Sequence, residues 1–90
     1  MIKVIKFGAA WCGPCRLLEP IINSLKEKYN VKGSGVEIFS ADIDRDFEIS
    51  ERYGIHNVPT VLFFKDDEVI DKLVGFKEPS DVEDKLKTLL

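Results

Sequence analysis

Apolar residues recur along this chain with two different periods, and each period predicts a different kind of element. Ile2–Phe7 is a short, nearly continuous apolar segment that ends at Gly8, which predicts a strand. A wide apolar face at helical spacing follows and predicts a long first helix. The residues of that face are Leu17, Leu18, Ile21, Ile22, Leu25 and Tyr29. Pro14 suits the first turn of this helix, where its missing N–H costs nothing, and Pro20 inside it is expected to bend it.

The rest of the chain predicts three further strands and two further helices. In order these are a strand at Val36–Ala41, a short helix from Asp44 or Asp46 to Tyr53, strands at Thr60–Phe64 and Val69–Val74, and a last helix with Val82, Leu86 and Leu89 on one face. Lys65–Glu68 is expected to turn the last two strands into a hairpin. Ser80 and Glu83 stand at capping-box spacing, so Ser80 is expected to cap the last helix.

These elements combine into one expected fold. Two strands joined through a helix should lie parallel with a right-handed crossover, whereas the strands of the hairpin are antiparallel. The fold class is therefore α/β, with a four-stranded mixed sheet and three helices in the order β-α-β-α-β-β-α. Ninety residues suit a single domain, so residues 1–90 are interpreted as one.

Composition and charge narrow the classes of function. The net charge is −3 and the charges are interspersed, so neither nucleic-acid binding nor a polybasic membrane patch is expected. The longest apolar run, Pro59–Phe64, falls far short of the ~20 residues that a membrane-spanning helix needs. The N-terminus shows no cationic region followed by a long apolar stretch, so we expect a cytoplasmic protein.

The residues with the clearest chemical role are two cysteines, Cys12 and Cys15, at the junction between the first strand and the first helix. Residues three apart in one helical turn share a face, so the two sulfurs can close a disulfide. Unpaired N–H groups at the start of a helix favour negative charge, which should lower the pKa of Cys12 and make it the attacking thiolate. Cys15 should be buried one turn deeper and attack second. No cofactor beyond this redox-active disulfide is expected.

The two cysteines allow two other interpretations. Buried cysteines often only fill space, but this pair at this spacing favours redox chemistry. A metal site needs about four ligands, and the chain offers two thiols and His56, so a mononuclear zinc site is not expected. A zinc or iron–sulfur site shared across a dimer stays open.

The run Phe7–Cys15 resembles the active-site stretch of thioredoxins, and Pro20 follows it as in that family. Tyr53–Thr60 is similar to the segment that carries the family's cis-proline, and Val74-Gly75 to the glycine that completes its substrate groove. The resemblance covers essentially the whole chain. It implies a thioredoxin fold and the reduction of protein disulfides by dithiol–disulfide exchange.

The resemblance also implies a groove for target proteins and a set of partners. The implied groove residues are Trp11, Gly13, Pro14, Val58, Pro59 and Gly75, with a cis bond between Val58 and Pro59. Disulfide-containing proteins are the implied targets, a thioredoxin-reductase-type enzyme is the implied electron donor, and a monomer is expected. Glutathione is the alternative donor, because the chain is as short as a glutaredoxin. Against it, Phe76–Glu78 follows Gly75 where glutaredoxins usually have a Gly-x-Asp run that helps bind glutathione.

The chain departs from the thioredoxin pattern at a position that bears on mechanism. Lys6 stands where thioredoxins usually have a buried aspartate, and Ser40 where that aspartate's lysine partner stands. Lys6 is therefore a candidate for proton transfer or for shifting the Cys15 pKa. The favoured interpretation is that Lys6 extends to solvent. The sequence does not place Glu19 or Glu37 well enough to nominate either as a substitute for the aspartate.

One further expectation concerns the sheet edge, and two alternatives concern the activity. The resemblance begins after the family's first strand and helix, so Val36–Ala41 is expected to be an exposed edge and a pairing site. The fold is also compatible with a binding module in which the cysteines are secondary. An oxidase or isomerase would use the same motif, although the Gly13-Pro14 pair between the cysteines resembles reducing members of the family.

Overall fold

The computed structural model describes residues 1–75 and 79–90, and its elements follow the predicted order. They are β1 (Ile2–Gly8), α1 (Gly13–Tyr29), β2 (Val36–Asp42), α2 (Phe47–Arg52), β3 (Thr60–Lys65), β4 (Glu68–Val74) and α3 (Pro79–Leu89). Each strand is one residue longer than its predicted span. The β-α-β-α-β-β-α prediction is therefore confirmed.

The four strands form one mixed sheet in the order β2-β1-β3-β4. β1 lies parallel to β2 and antiparallel to β3, and β3 pairs antiparallel with β4. Asp66 and Asp67 make the predicted hairpin turn between β3 and β4, both with positive φ. β1 is thus a central strand, and the loop that leaves its end carries both cysteines into α1.

Side chains of β1 alternate between the two faces of the sheet, and both faces are covered. Val4 belongs to the larger core, where α1 contributes Leu18, Ile22 and Leu25 and α3 contributes Val82 and Leu86. Ile5 and Phe7 belong to the smaller core on the opposite face, packed by Ile43 and Ile55 from the segments that flank α2. Burial on both faces explains why β1 is nearly continuously apolar. It also makes Lys6 an exception within that strand.

Two predictions about the helices are wrong. Leu17, assigned to the apolar face of α1, is 66% exposed, because Leu18, Ile22 and Leu25 already fill the stripe that contacts the sheet. Ser80 does not cap α3, because the helix begins one residue earlier with Pro79, a residue well suited to a first turn. Within the described ranges, no helix is long and apolar enough to cross a membrane.

β2 lies at the edge of the sheet, as predicted, but its free side is partly closed by side chains. The backbone N–H and C=O groups of the odd-numbered residues of β2 bond to β1. Those of the even-numbered residues therefore point to the free side of the strand. The Asn30 side chain donates to the Ile38 carbonyl (2.9 Å) and accepts the Ile38 N–H (2.7 Å). Ser34 contacts the backbone of Val36 in the same way, and Asp46 accepts the N–H of Asp42. These contacts oppose the predicted use of this edge for strand pairing.

Candidate active site

Cys12 and Cys15 are joined by a disulfide at the N-terminus of α1, with their Cα atoms 5.3 Å apart. Cys12 is the N-cap residue, with extended backbone, and its Sγ accepts the N–H of Cys15 at 3.2 Å. Pro14 occupies the first turn as predicted, and that turn contains no acidic residue. The local field therefore favours negative charge on Cys12, because the Cys15 N–H at the start of the helix points at its sulfur and no carboxylate in the first turn offsets this.

Burial does not distinguish the two cysteines, but their neighbours do. Cys12 is 5% exposed and Cys15 3%, so the prediction that Cys15 is buried is confirmed, and Cys12 is buried as well. Ala9, Ile43 and Val58 pack around the disulfide. Cys12 lies at the helix terminus, whereas Cys15 lines a cavity on the inner side of α1. The two sulfurs therefore face different electrostatic surroundings.

The proline segment lies against the disulfide as the family resemblance implies. The Val58–Pro59 peptide bond is cis, and Val58 packs on the cysteine cluster. The Pro59 carbonyl accepts the N–H of Gly75 at 2.8 Å. Gly75 has φ +86°, a conformation that favours glycine. Val58, Pro59 and Gly75 are thus brought together although 16 positions separate Pro59 from Gly75 in the sequence.

Trp11 lies on the surface beside the disulfide, as expected for a groove residue, and is 66% exposed. Its indole N–H donates to a carboxylate oxygen of Asp44 at 3.0 Å. Asp44 carries no sequence signal for this role beyond its place in the turn after β2. The Asp44 N–H is itself bonded to the Asp42 side chain at 2.8 Å, which holds the turn. Asp44 is therefore a site residue that only the structure reveals.

The prediction that Lys6 extends to solvent is wrong. The Lys6 side chain is 6% exposed and forms an ion pair with Glu19 on α1. The Ser40 hydroxyl donates to the other Glu19 oxygen at 3.2 Å. The side chain turns inward because Glu19, itself bonded to Ser40, supplies a charged partner beside a cavity of about 250 Å³ that Cys15 also lines. Burying a charged group on this strand costs less free energy when the group is paired and hydrogen-bonded.

The ion pair lies close to the Cys15 sulfur. A Cβ atom placed on Gly8 would lie 3.1 Å from Lys6 Nζ and 3.3 Å from Cys15 Sγ, so both atoms border the same small gap. Burial acts to raise the pKa of Glu19, but the hydrogen bond and charge of Lys6 outweigh it and hold that pKa below its usual value. Glu19 is consequently a carboxylate at neutral pH.

The remaining sequence predictions for this region have different outcomes. In the part of the chain that the structure describes, no group of three or more His, Cys, Asp and Glu side chains is placed to hold a metal ion. His56 is exposed. Phe76–Glu78, which stands where glutaredoxins usually have a Gly-x-Asp run, lies outside the described residues.

Comparison with known proteins gives one consistent family. The family model for thioredoxin matches residues 1–88. Thioredoxin from Staphylococcus epidermidis is 36% identical over 76 residues, which are 84% of this chain and 70% of that protein. Thioredoxin from Staphylococcus aureus is 33% identical over the same shares of both chains.

Solved structures agree with the sequence comparison. A mutant thioredoxin from Halobacterium salinarum matches with a TM-score of 0.85 and 29% identity, over 97% of this chain and 73% of that one. Deadhead, a germline-specific thioredoxin from Drosophila melanogaster, matches with a TM-score of 0.86 and 28% identity, over 99% and 81%. The fold is therefore a thioredoxin fold, and the disulfide at the start of α1 lies in it as a redox-active pair.

Proposed function

Because this chain belongs to the thioredoxin family, we propose that Cys12 is its attacking thiol and Cys15 its resolving thiol. The chain is a protein disulfide oxidoreductase, and the redox-active group is the Cys12–Cys15 disulfide. The observation that carries the assignment of roles is the position of Cys12 at the N-cap of α1, with the Cys15 N–H directed at its sulfur. We propose that residues 1–90 act together as one domain.

In the first step, the Cys12 thiolate attacks one sulfur of a target disulfide. A bond forms between Cys12 Sγ and that sulfur, the target's S–S bond breaks, and the other target sulfur leaves as a thiolate and takes up a proton. The start of α1 supports this step because it stabilises the thiolate without an acidic residue in its first turn.

In the second step, Cys15 loses its proton and attacks Cys12 Sγ in the mixed disulfide. The Cys12–Cys15 bond forms, the bond from Cys12 to the target breaks, and the target leaves fully reduced. Two electrons have then passed from the cysteine pair to the target. The spacing of the Cα atoms, 5.3 Å, suits closure of this bond.

The surface around the disulfide supports a groove for an extended target segment. We define the target groove by six residues: Trp11, Gly13, Pro14, Val58, Pro59 and Gly75. Trp11, Gly13 and Pro14 are exposed around Cys12, Val58 and Gly75 are half-buried, and Pro59 is buried. In this proposal the cis-proline segment and Gly75 form the opposite wall of the groove. In this proposal the backbone of Val58 pairs with the target on one side of the scissile disulfide.

Electrons must be returned to the cysteine pair after each turnover. A thioredoxin-reductase-type enzyme is the proposed donor, and glutathione is the alternative. A reducing compartment such as the cytoplasm fits this cycle, and the partly closed edge of β2 supports a monomer. Turnover with thioredoxin reductase and NADPH, run in parallel with glutathione and its reductase, separates the two donors.

The assignment of the two cysteines is tested by insulin reduction in the presence of dithiothreitol. Cys12→Ser should abolish activity, whereas Cys15→Ser should accumulate a mixed disulfide with the target. Circular dichroism of both variants controls for folding. Full activity in Cys12→Ser would overturn the mechanism. A redox titration tests the reducing role, with about −270 mV expected and a value near −120 mV indicating an oxidase.

A further inference from the structure

The ion pair between the buried Lys6 and the partly exposed Glu19 lies beside Cys15, and its two charges are not where the family resemblance implied them. The family resemblance implied a carboxylate on β1, where this chain has Lys6. The carboxylate comes instead from α1, one helical turn after Cys15. The group on the strand beneath the resolving thiol is therefore a cation rather than a base.

We propose that Lys6 and Glu19 shift the ionisation of Cys15 in opposite directions. The Lys6 ammonium stabilises the Cys15 thiolate, and the negative charge of Glu19, paired with that ammonium, offsets part of the stabilisation. The inference rests on the proposed role of Cys15 as the resolving thiol. Lys6 and Glu19 are positioning residues in this scheme, because neither one contacts the target or forms a bond in the exchange.

The first support is the gap at Gly8. Lys6 Nζ and Cys15 Sγ lie 3.1 and 3.3 Å from the point where a Cβ on Gly8 would stand. A larger residue would therefore fill the space between the ammonium and the sulfur. With glycine there, charge and sulfur are neighbours in a region where Lys6 and Cys15 are both buried. Electrostatic interactions are stronger in such a region than in water.

The second support is the position of Glu19 relative to both groups. Glu19 lies four residues after Cys15 on α1, so the two side chains share a helical face. Its carboxylate accepts from Lys6 and from Ser40, and its side chain is 39% exposed. Glu19 therefore stays charged and hydrated at its outer side while it neutralises part of the field of Lys6.

The other charged groups around the cavity have partners of their own. Arg16 Nη2 donates to the Ala10 carbonyl at 2.8 Å, and Arg45 lies 3.6 Å from the Asp46 carboxylate. Asp42 Oδ1 accepts the backbone N–H groups of the turn that follows β2. The N-terminus of α1 acts mainly on Cys12, its N-cap residue. Lys6 and Glu19 are the charged pair placed to oppose each other at Cys15.

This arrangement changes how the resolving step loses its proton. A carboxylate beneath the thiol would remove the proton as a base, whereas an ammonium lowers the proton affinity of the thiol itself. The Cys15 proton then passes to water through the open cavity, and the resulting thiolate attacks Cys12 Sγ. Because the ammonium stabilises the reduced, ionised state, it also makes the disulfide easier to reduce.

The test measures Cys15 ionisation directly, without relying on activity. In a Cys12→Ser background, thiolate absorbance is followed against pH for Lys6→Met and Glu19→Gln. We expect the midpoint to move to higher pH in Lys6→Met and to lower pH in Glu19→Gln. Lys3→Met, on the same strand, and Glu27→Gln, two turns further along α1, are matched controls and should leave it unchanged. Shifts in the same direction, or no shift, would overturn the inference.

A conservative variant separates charge from packing. Lys6→Arg keeps the cation, so its midpoint should stay near that of the parent. A midpoint in Lys6→Arg like that of Lys6→Met would contradict a role for charge. If Lys6→Met does not fold, Glu19→Gln decides alone, since its side chain is partly exposed. A shift to lower pH then supports the inference, and its absence overturns it.

A kinetic measurement in the two-cysteine protein links ionisation to turnover. Lys6→Met should slow release of a preformed mixed disulfide near neutral pH by about three- to tenfold, since one pKa unit is a tenfold change in the thiolate fraction. The reduction potential should become more negative in Lys6→Met and less negative in Glu19→Gln. If the parent protein does not reduce insulin but Cys15 still titrates as described, the proposed function fails, whereas the opposing effects of Lys6 and Glu19 on Cys15 ionisation stand.

Discussion

The indole Nε1 of Trp11 donates a 3.0 Å hydrogen bond to a carboxylate oxygen of Asp44, which joins the cysteine loop to the turn after β2. The ring is 66% exposed, so packing alone does not hold it. The bond therefore determines how Trp11 is presented beside the disulfide.

Asp44→Ala should weaken target reduction without unfolding the protein. Loss of one exposed hydrogen bond, worth about 0.5–1 kcal/mol, should lower kcat/KM for insulin about two- to fivefold. Trp11 is the single tryptophan, so its fluorescence reports whether the ring is released. Asp84→Ala, an exposed aspartate on α3, is the matched control. An unchanged kcat/KM in Asp44→Ala would show that this bond does not position the groove.

Asn30→Ala should both destabilise the protein and open the free edge of β2. The variant removes two hydrogen bonds to Ile38, for an expected loss of about 1–2 kcal/mol in the free energy of unfolding, measured with urea. The freed backbone groups should promote self-association, detected as concentration-dependent sedimentation. Asn23→Ala, at an exposed position on α1, should do neither. A strictly monomeric Asn30→Ala would argue that other features protect this edge.

Asp67→Gly should stabilise the hairpin between β3 and β4. Asp66 and Asp67 have φ of +52° and +70°, a two-residue turn that favours glycine at its second position. Relief of the left-handed conformation should contribute about 1 kcal/mol. The ion pair lost with Lys3, at 3.6 Å and 92% exposed on the Asp67 side, is worth less. Asp67→Ala loses the ion pair with Lys3 and still has a side chain in the left-handed conformation. Its melting temperature should therefore be lower than that of the parent protein.

Acid should weaken the attachment of α3. Glu83 accepts hydrogen bonds from Lys28 (2.5 Å) and Tyr29 (2.7 Å), and the Lys28 hydrogen bond first of all holds the pKa of Glu83 below its usual 4.5. The Lys85 hydrogen bond likewise lowers the pKa of Asp71 below 3.8. Each folded pKa is depressed, so the stabilisation is complete above the unfolded value and is lost as pH falls through the folded one.

The measurement is the urea midpoint as a function of pH at low salt. The midpoint should be constant above about pH 5 and should fall at lower pH as Glu83 and Asp71 bind protons. Glu83→Gln removes the contribution of Glu83 and should flatten the decline. High salt should also flatten the decline, because both ion pairs are partly exposed to solvent. If the urea midpoint of Glu83→Gln falls as much as that of the parent, groups other than Glu83 cause the acid sensitivity.

Much of the fold was predictable because its signals are local. Each strand was predicted to within one residue, since a short apolar segment bounded by glycine or a turn has few alternatives. The disulfide followed from two cysteines one helical turn apart. The cis peptide at Pro59 and the groove came from the family resemblance. Leu17 was misassigned because periodicity does not show which residues at the border of an apolar stripe are covered.

The sequence by itself determined the order of the elements, the cysteine pair at the start of α1 and the cation on β1. Only the tertiary structure decided that Lys6 turns inward to Glu19, that Asp44 holds Trp11, and that Asn30 closes the edge of β2. Periodicity and helix starts depend on neighbours within a turn or two of the chain. Pairing between distant polar side chains depends on how α1, β1 and β2 are placed against one another, and that is set by the packing of the whole core.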